Sequence, residues 1–283
     1  KIAKQRKLIL GVAHIDHGVR EDSHKDRELV SKVAKKNKIP IFIELLEKVP
    51  KGQNFEAWAR QKRYKFLEKV RADNGYNWIA TAHTADDVVE TFLIRILSGK
   101  ELGTIDRSNP KRHLIRPFLS IKKSSILKYA NEEGVLWRED STNSTDKYLR
   151  NRVRNKLIPL MSDLVDGEVT ERVLIRSQSL AKDQEFLRDF AKGLYLEISK
   201  YKWGSREWIR ALFAHLNNLH SSIAWRLSAC ALEEPLGYTV GEQHAERFTK
   251  FVLSNAAQVE MPQKVVIKRN KGSFFVSKKL VSS

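Results

Sequence analysis

The sequence predicts an α/β protein: a parallel sheet with helices on both faces, followed by a smaller, mainly helical region ending in a β-hairpin. Three observations predict it. Short apolar runs alternate with stretches of helical periodicity through the first 160 residues, the pattern of βαβ units. After Pro159 the composition shifts to long helical patterns. Near the C-terminus, two β-rich runs flank Arg269-Asn-Lys-Gly272. The expected domains are therefore 1–160 and 161–283.

Lys1 to Lys7 reads as the end of a helix. Leu8 to His14 is a first apolar strand, running into the polar turn Ile15-Asp16-His17-Gly18-Val19-Arg20. Ser23 is placed to cap a helix reaching Lys38, with Leu29, Val30, Val33 and Ala34 as its buried stripe. Ile39 to Leu46 is the next strand, with Pro40 tolerated in its first residues. Asn54 is placed to cap a helix from Phe55 to Asn74 that buries Phe55, Trp58, Ala59, Phe66, Leu67 and Val70. Arg60 and Arg63 lie among these, and Gly75 stops the helix. Trp78 to Ala82 reads as a buried strand. A helical pattern begins at once through Val88, Val89, Phe92, Leu93, Ile96 and Leu97, with Gly99 past its end. His113 to Leu119 contains Arg116 and Pro117, so it belongs near a sheet edge or a strand end. A helix then reaches Glu133, before Gly134.

From Trp137 a polar, turn-rich segment leads into a helix. Leu149, Val153, Leu157 and Leu160 form its apolar stripe, Arg150 and Arg154 share another face, and Arg152 points elsewhere. Val169 to Ser199 is one long helix in which Val173, Leu180, Leu187 and Leu194 recur at seven, with Ser177, Gln184, Ala191 and Ile198 between them. Two or three more helices reach Leu253. Their Trp203, Trp208 and Trp225 read as core, although tryptophan interleaved with arginine also suits base stacking.

Composition narrows the class. The chain has 283 residues, 41% hydrophobic and 30% charged, which suits a folded globular protein rather than disorder. No apolar run approaches the roughly 20 residues of a membrane span, and no signal peptide is read, so a cytoplasmic location is expected. The single cysteine, Cys230, excludes an internal disulfide, a cysteine zinc cluster and a CxxC redox pair, and reads as a buried small hydrophobe. Net charge is +18 and uneven. Residues 1–160 carry 34 Lys/Arg against 20 Asp/Glu, a net of +14, and the remainder carries +4. A basic half of this kind suggests a polyanionic partner.

The chemistry-bearing stretch is Ile79-Ala-Thr-Ala-His83-Thr-Ala-Asp86-Asp87-Val-Val-Glu90-Thr91. His83 falls at the carboxyl end of a strand, where open α/β sheets bind ligands. Asp87 and Glu90, three apart on the first turns of the helix, share a face. Thr84 with Asp87 is also compatible with a simple capping box. No glycine-rich phosphate loop occurs, since Gly99-Lys-Glu-Leu-Gly103 lacks the spacing and comes after a helix.

Several stretches, taken together, resemble the tRNA(Ile)-lysidine synthetases, which are PP-loop (ATP-pyrophosphatase) enzymes with a Rossmann-like catalytic domain. They are Ala13-His14-Ile-Asp16-His17-Gly18-Val-Arg20, Glu56-Ala-Trp-Ala-Arg60 with Arg63-Tyr64, the His83 to Thr91 run, Leu114-Ile-Arg116-Pro117, and Trp137-Arg-Glu-Asp140-Ser-Thr-Asn143 through Arg150-Asn151-Arg152-Val-Arg154. The family's SGGxDS-type loop is not among these residues and is expected on a strand preceding Lys1. The resemblance implies that ATP and Mg²⁺ activate the wobble cytidine of tRNA(Ile) with a CAU anticodon as an adenylate. Free L-lysine then displaces AMP to give lysidine and AUA decoding.

By the same resemblance, Asp87, His83, Glu90 and Arg63 are expected at the reaction centre, and Asp87 and Glu90 at the lysine. Ala13, His14, Arg63 and Asp87 are expected at ATP, and Arg150, Arg152, Arg154 and Arg116 at phosphate or tRNA. No metal ligand is assigned. The helical C-terminal domain is expected to bind the tRNA body, and a homodimer is left open. Two other readings stand beside this one: a tRNA thiolase of the same superfamily, which the lone cysteine disfavours, and a non-catalytic tRNA-binding protein.

Overall fold

The computed structural model describes the chain apart from residues 1–4, 17, 19–21, 47–54, 100–102, 104, 140–147, 166 and 279–283, and apart from the side chains of residues 56, 57 and 278. The expected Asn54 cap and much of the polar segments around His17 and Asn143 therefore lie outside the described residues. The chain divides into two units, residues 1–91 with 105–170 and residues 92–104 with 171–283.

The first unit begins with β1 (Val12–Asp16), α1 (Ser23–Lys36) and β2 (Ile41–Leu45). β1 and β2 run parallel, with Val12 opposite Ile41 and Asp16 opposite Leu45. Parallel neighbours need such a crossover helix. The strand starts at Val12 rather than Leu8, and Ile9 is 85% exposed. The Val12 N–H donates to the Pro40 carbonyl at 2.9 Å, but Pro40 has no N–H with which to carry the ladder further back. α1 starts at Ser23 itself. Asp22 holds the cap position without a side-chain cap bond, and Val33, expected in the stripe, is exposed while Ala34 is buried.

α2 (Phe55–Asp73) packs on the strands through Ala59 and its apolar neighbours. Next come β3 (Ile79–Ala80) and α3 (Ala85–Leu97), then β4 (Ser108–Asn109) and β5 (Leu114–Ile115). β5 pairs parallel with β3 and antiparallel with β4. The parallel pairing is thus distributed over two ladders, and two-residue β4 is too short to leave any periodicity in the sequence. On α3, Ala85, Val88, Val89 and Leu93 are buried, whereas Ile96 and Leu97 are exposed. The buried stripe therefore ends at Leu93 rather than running to Leu97. α4 (Lys123–Glu132) completes this region.

The arginine-rich segment forms α5 (Leu149–Arg152), a π-helical turn over Val153–Leu157, and α6 (Ile158–Leu164). Pro159 accounts for the π turn. In an α-helix its ring would meet the Asn155 carbonyl and its missing N–H would leave that carbonyl unpaired; a wider turn accommodates both. The insertion shifts the phase of the helix. Val153 is buried, but Leu160, expected on the same stripe, is exposed.

The second unit is built from α7 (Val169–Ile198), α8 (Arg206–Asn218), α9 (Ser221–Leu236) and α10 (Glu242–Leu253). After them come β6 (Gln258–Met261), β7 (Val265–Asn270) and β8 (Ser273–Lys278), an antiparallel three-stranded sheet. The expected hairpin is β7–β8. Lys271 and Gly272 at its turn both have positive φ, 47° and 78°, as a two-residue type I′ turn requires. β6 is an additional strand. On α7 the fully buried line is Ser177, Ala191 and Ile198, while the seven-spaced Leu187 and Leu194 are partly buried beside it. The tryptophans are core: Trp208 is fully buried against Trp203 and Phe274, and Trp225 carries the Arg226 guanidinium on its ring face.

Pro235 sits inside the last turn of α9 and cannot donate to the Ala231 carbonyl four residues back. The Trp203 indole N–H donates to that carbonyl instead, at 2.8 Å. A buried backbone acceptor is thereby satisfied from another element.

Candidate functional site

The site lies in the first unit, at the carboxyl ends of β3 and β5. The Thr81 N–H donates to the Ile115 carbonyl at 3.0 Å, so the two strand ends stay together as the chain leaves the sheet. Two residues on, His83 Nδ1 lies 2.8 Å from the Thr81 hydroxyl, and no described residue engages its Nε2. Burial pulls the His83 imidazole below its ordinary pKa of 6.5. Asp87 opposes this, while Arg116, Arg60 and Arg150 reinforce it. Three arginines from three parts of the chain therefore share one field with His83, and together with burial they favour its neutral form.

Thr84 caps α3. Asp87, at the third helical position, accepts from the Thr84 N–H at 2.8 Å and from its hydroxyl at 3.1 Å, both through Oδ2. The capping role and the site role are thus compatible, because Oδ1 has no partner among the described residues. Asp86 turns away and accepts from the Lys123 N–H at 2.7 Å, holding the start of α4.

Glu90 is 1% exposed. Arg154 grips it bidentately, Nε to Oε1 at 2.6 Å and Nη2 to Oε2 at 3.0 Å. Arg150 lies 3.7 Å from Oε2 and donates to the Thr91 hydroxyl at 3.2 Å. Burial pushes the Glu90 carboxyl up, against the pull of Arg154, and the same hydrogen bonds raise the Arg154 guanidinium. The expected face of two acids is therefore divided: Asp87 keeps an open oxygen, and Glu90 is committed to arginine. Arg150 and Arg154 share a face as expected, and Arg152 is exposed with no partner among the described residues.

Arg63 lies on α2 beside Arg60. Its side chain is exposed, yet crowding by protein atoms and the like charge of Arg60 draw its guanidinium down. Arg60 itself lies 5.0 Å from the centre of the Tyr64 ring. Ala13 and His14 are in the middle of β1, whose other edge has no partner among the described residues. Burial lowers the His14 imidazole as well, against Asp16 and Asp26 and with Arg27.

Two residues lie in the stretches that resemble the family but carry no role assigned from the sequence. Asp16 is buried at the end of β1, where it accepts from the Gly18 N–H at 3.0 Å and faces Arg27 at 3.4 Å. Arg138 bridges Asp26 at 2.7 Å and Asp22 at 2.8 Å, across 112 and 116 residues of chain. Among the described residues no group of three or more His, Cys, Asp or Glu side chains has the arrangement of a metal site, and no helix is long and apolar enough to cross a membrane.

A buried acid–arginine pair, a neutral histidine and convergent arginines at parallel strand ends suit a site that binds anionic substrates. The model of the PP-loop domain matches residues 1–161, and the chain belongs to that family. Within it, the chain is 37% identical over 170 residues to the tRNA(Ile)-lysidine synthase of Thermotoga sp. (strain RQ2), covering 58% of this chain and 41% of that protein. It is 36% identical over 199 residues to the bifunctional protein TilS/HprT of Listeria innocua, covering 66% and 30%, and 30% identical over 195 residues to the tRNA(Ile)-lysidine synthase of Enterococcus faecalis, covering 67% and 41%. The matches thus span less than half the length of these relatives. Among solved structures, the U34-tRNA thiolase NcsA from Methanococcus maripaludis with its [4Fe-4S] cluster shares the fold, with a TM-score of 0.51 and 16% identity, covering 64% of this chain and 66% of that one.

Proposed function

We propose that the chain is the catalytic part, with an adjoining helical unit, of an ATP-dependent ligase that forms lysidine at the wobble cytidine of tRNA(Ile) with a CAU anticodon. The observation that carries the reading is Asp87. It is anchored through one oxygen by the cap of α3, keeps the other open, and stands at the strand ends beside neutral His83 and the field of Arg60, Arg116 and Arg150. A free amino acid and a nucleotide bring an ammonium, a carboxylate and phosphates to such a place. The open Asp87 oxygen suits the ammonium of lysine, and His83 suits the proton that the attacking amine must lose. The arginines suit phosphate. By resemblance, ATP would lie at Ala13 and His14 of β1.

Mg²⁺ ordinarily arrives on the phosphates with most of its water and needs only one or two carboxylates. With the open Asp87 oxygen given to the lysine, no described side chain is assigned to the metal. Glu90 acts in this reading by fixing Arg154, while exposed Arg152 suits a phosphate of the tRNA backbone. The helical unit would hold the body of the tRNA. A thiolase reading has only the shared fold behind it, and Cys230 is the one cysteine in 283 residues.

The test is direct. The natural full-length protein, ATP, Mg²⁺, labelled lysine and a tRNA(Ile) transcript are incubated, and the digested tRNA is examined by mass. ATP-dependent lysidine at the wobble cytidine is expected. The Asp87→Asn variant, which keeps the cap acceptor, should fold normally and lose most of the activity. Wild-type rates in that variant would remove Asp87 from the reaction centre.

A further inference from the structure

Among its described residues the first unit buries three charged side chains: Asp16, Glu90 and Arg116. Asp16 faces Arg27, and Glu90 faces Arg154. Arg116, 8% exposed, faces no carboxylate among the described residues. Its Nη1 donates to the Asp106 carbonyl, and its Nε is shut off from solvent without a hydrogen-bond partner. A buried cation left without a counter-charge is costly, and proteins keep such groups where something supplies the charge.

The position of this cation is set by the sheet. Arg116 comes directly after β5, and Pro117 ends the strand behind it. The neighbouring β3 leads within three residues to His83, and Arg116 acts electrostatically on that imidazole. With Nη1 spent on a backbone carbonyl, the unused side of the guanidinium is its Nε–Nη2 edge. That edge is a planar pair of donors matching two oxygens of a carboxylate or phosphate. A group this deep suits an end of a small molecule rather than the backbone of a folded RNA.

We propose that the Nε–Nη2 edge of Arg116 is the receptor for an oxyanion of a small substrate, either a phosphate of the nucleotide or the carboxylate of the amino acid. The inference deepens the ligase reading and rests on it for the identity of the two candidates. Asp87 would take the cationic end of the amino acid, and Arg116 the anionic end of one of the two substrates.

Calorimetric titration of the natural full-length protein, without tRNA and without turnover, separates the sources. ATP is compared with adenosine, and lysine with lysinamide, for wild type, Arg116→Lys and Arg116→Gln. Removal of a bidentate charged contact should weaken one charged ligand about tenfold or more, leaving its neutral analogue unchanged. Weaker ATP binding identifies phosphate, and weaker lysine binding identifies carboxylate. Arg116→Lys keeps the charge and loses the fork, so it should show part of the loss and carries the test if Arg116→Gln does not fold. Wild-type affinity for ATP and lysine in a folded Arg116→Lys or Arg116→Gln protein overturns the proposal, as does a wild type that binds neither ligand. A protein that binds through Arg116 but makes no lysidine keeps this inference and loses the ligase reading.

Discussion

The pairing of Glu90 with Arg154 decides what each residue is free to do. Both carboxylate oxygens are held, so substitution should first be felt as lost stability. Breaking a buried pair costs about 3–5 kcal/mol, and less here because the Arg154 side chain retains 30% exposure. Glu90→Gln and Arg154→Gln should each lower the urea midpoint, and the double variant should be less destabilised than the sum of the two. Strict additivity in that cycle would mean the pair is not coupled. His83 gives a pH signature. Its folded pKa lies below 6.5, so the unfolded chain takes up a proton first as pH falls. The stability it contributes is full above 6.5 and is lost as pH drops toward the folded value. Urea midpoints at pH 7.5 and 5.5 should therefore differ less in His83→Gln than in wild type. His14, lowered in the same direction, keeps some of the difference in the variant.

At the scale of elements, the helix after His83 was the part most legible in the sequence. Its polar start, apolar stripe and terminal glycine are local signals, and local signals are what a sequence prints. The apolar runs are longer than the strands they form, because a run of apolar residues marks where a strand is possible while its partner decides where it is paired. Val12 begins β1 because Pro40 ends the ladder opposite. Long-range choices left no trace: Arg138 reaching Asp22 and Asp26, the commitment of Glu90 to arginine, and β4. The Trp203 bond to Ala231 is of the same kind, since Pro235 announces an orphaned carbonyl but not what will satisfy it. Trp203→Phe should cost about 1–3 kcal/mol by stranding that acceptor, beyond its packing loss. Pro235→Ala in the same background restores an N–H donor and should recover part of this in thermal melts. No recovery would argue that Trp203 matters for packing alone.

For the whole molecule the governing quantity is charge. A net of +18, with +14 in the first 160 residues, sets a long-range field for a polyanion. If the partner is tRNA and about six phosphates are neutralised, affinity should fall on the order of 10³-fold between 50 and 200 mM salt. Filter binding across that range measures the slope. A flat response would remove nucleic acid as the partner whatever the site chemistry. Arg152→Ala should make the slope shallower by about one contact without changing the folding midpoint, because no described residue holds its side chain.

The π turn before Pro159 also bears on how this chain varies over evolutionary time. A π turn holds one residue more than an α turn, and each residue turns a helix by about 100°. Point substitutions within residues 153–157 leave the phase alone. Deleting a single residue there re-aims α6, while Arg150 and Arg154 stay against Glu90 and Thr91 only if the loss falls after them. Differences of length at this spot, rather than of residue type, are where relatives should diverge in the direction their chains take beyond the arginine helix. A one-residue deletion paired with Pro159→Ala is the smallest edit that would reset it to a regular α-helix.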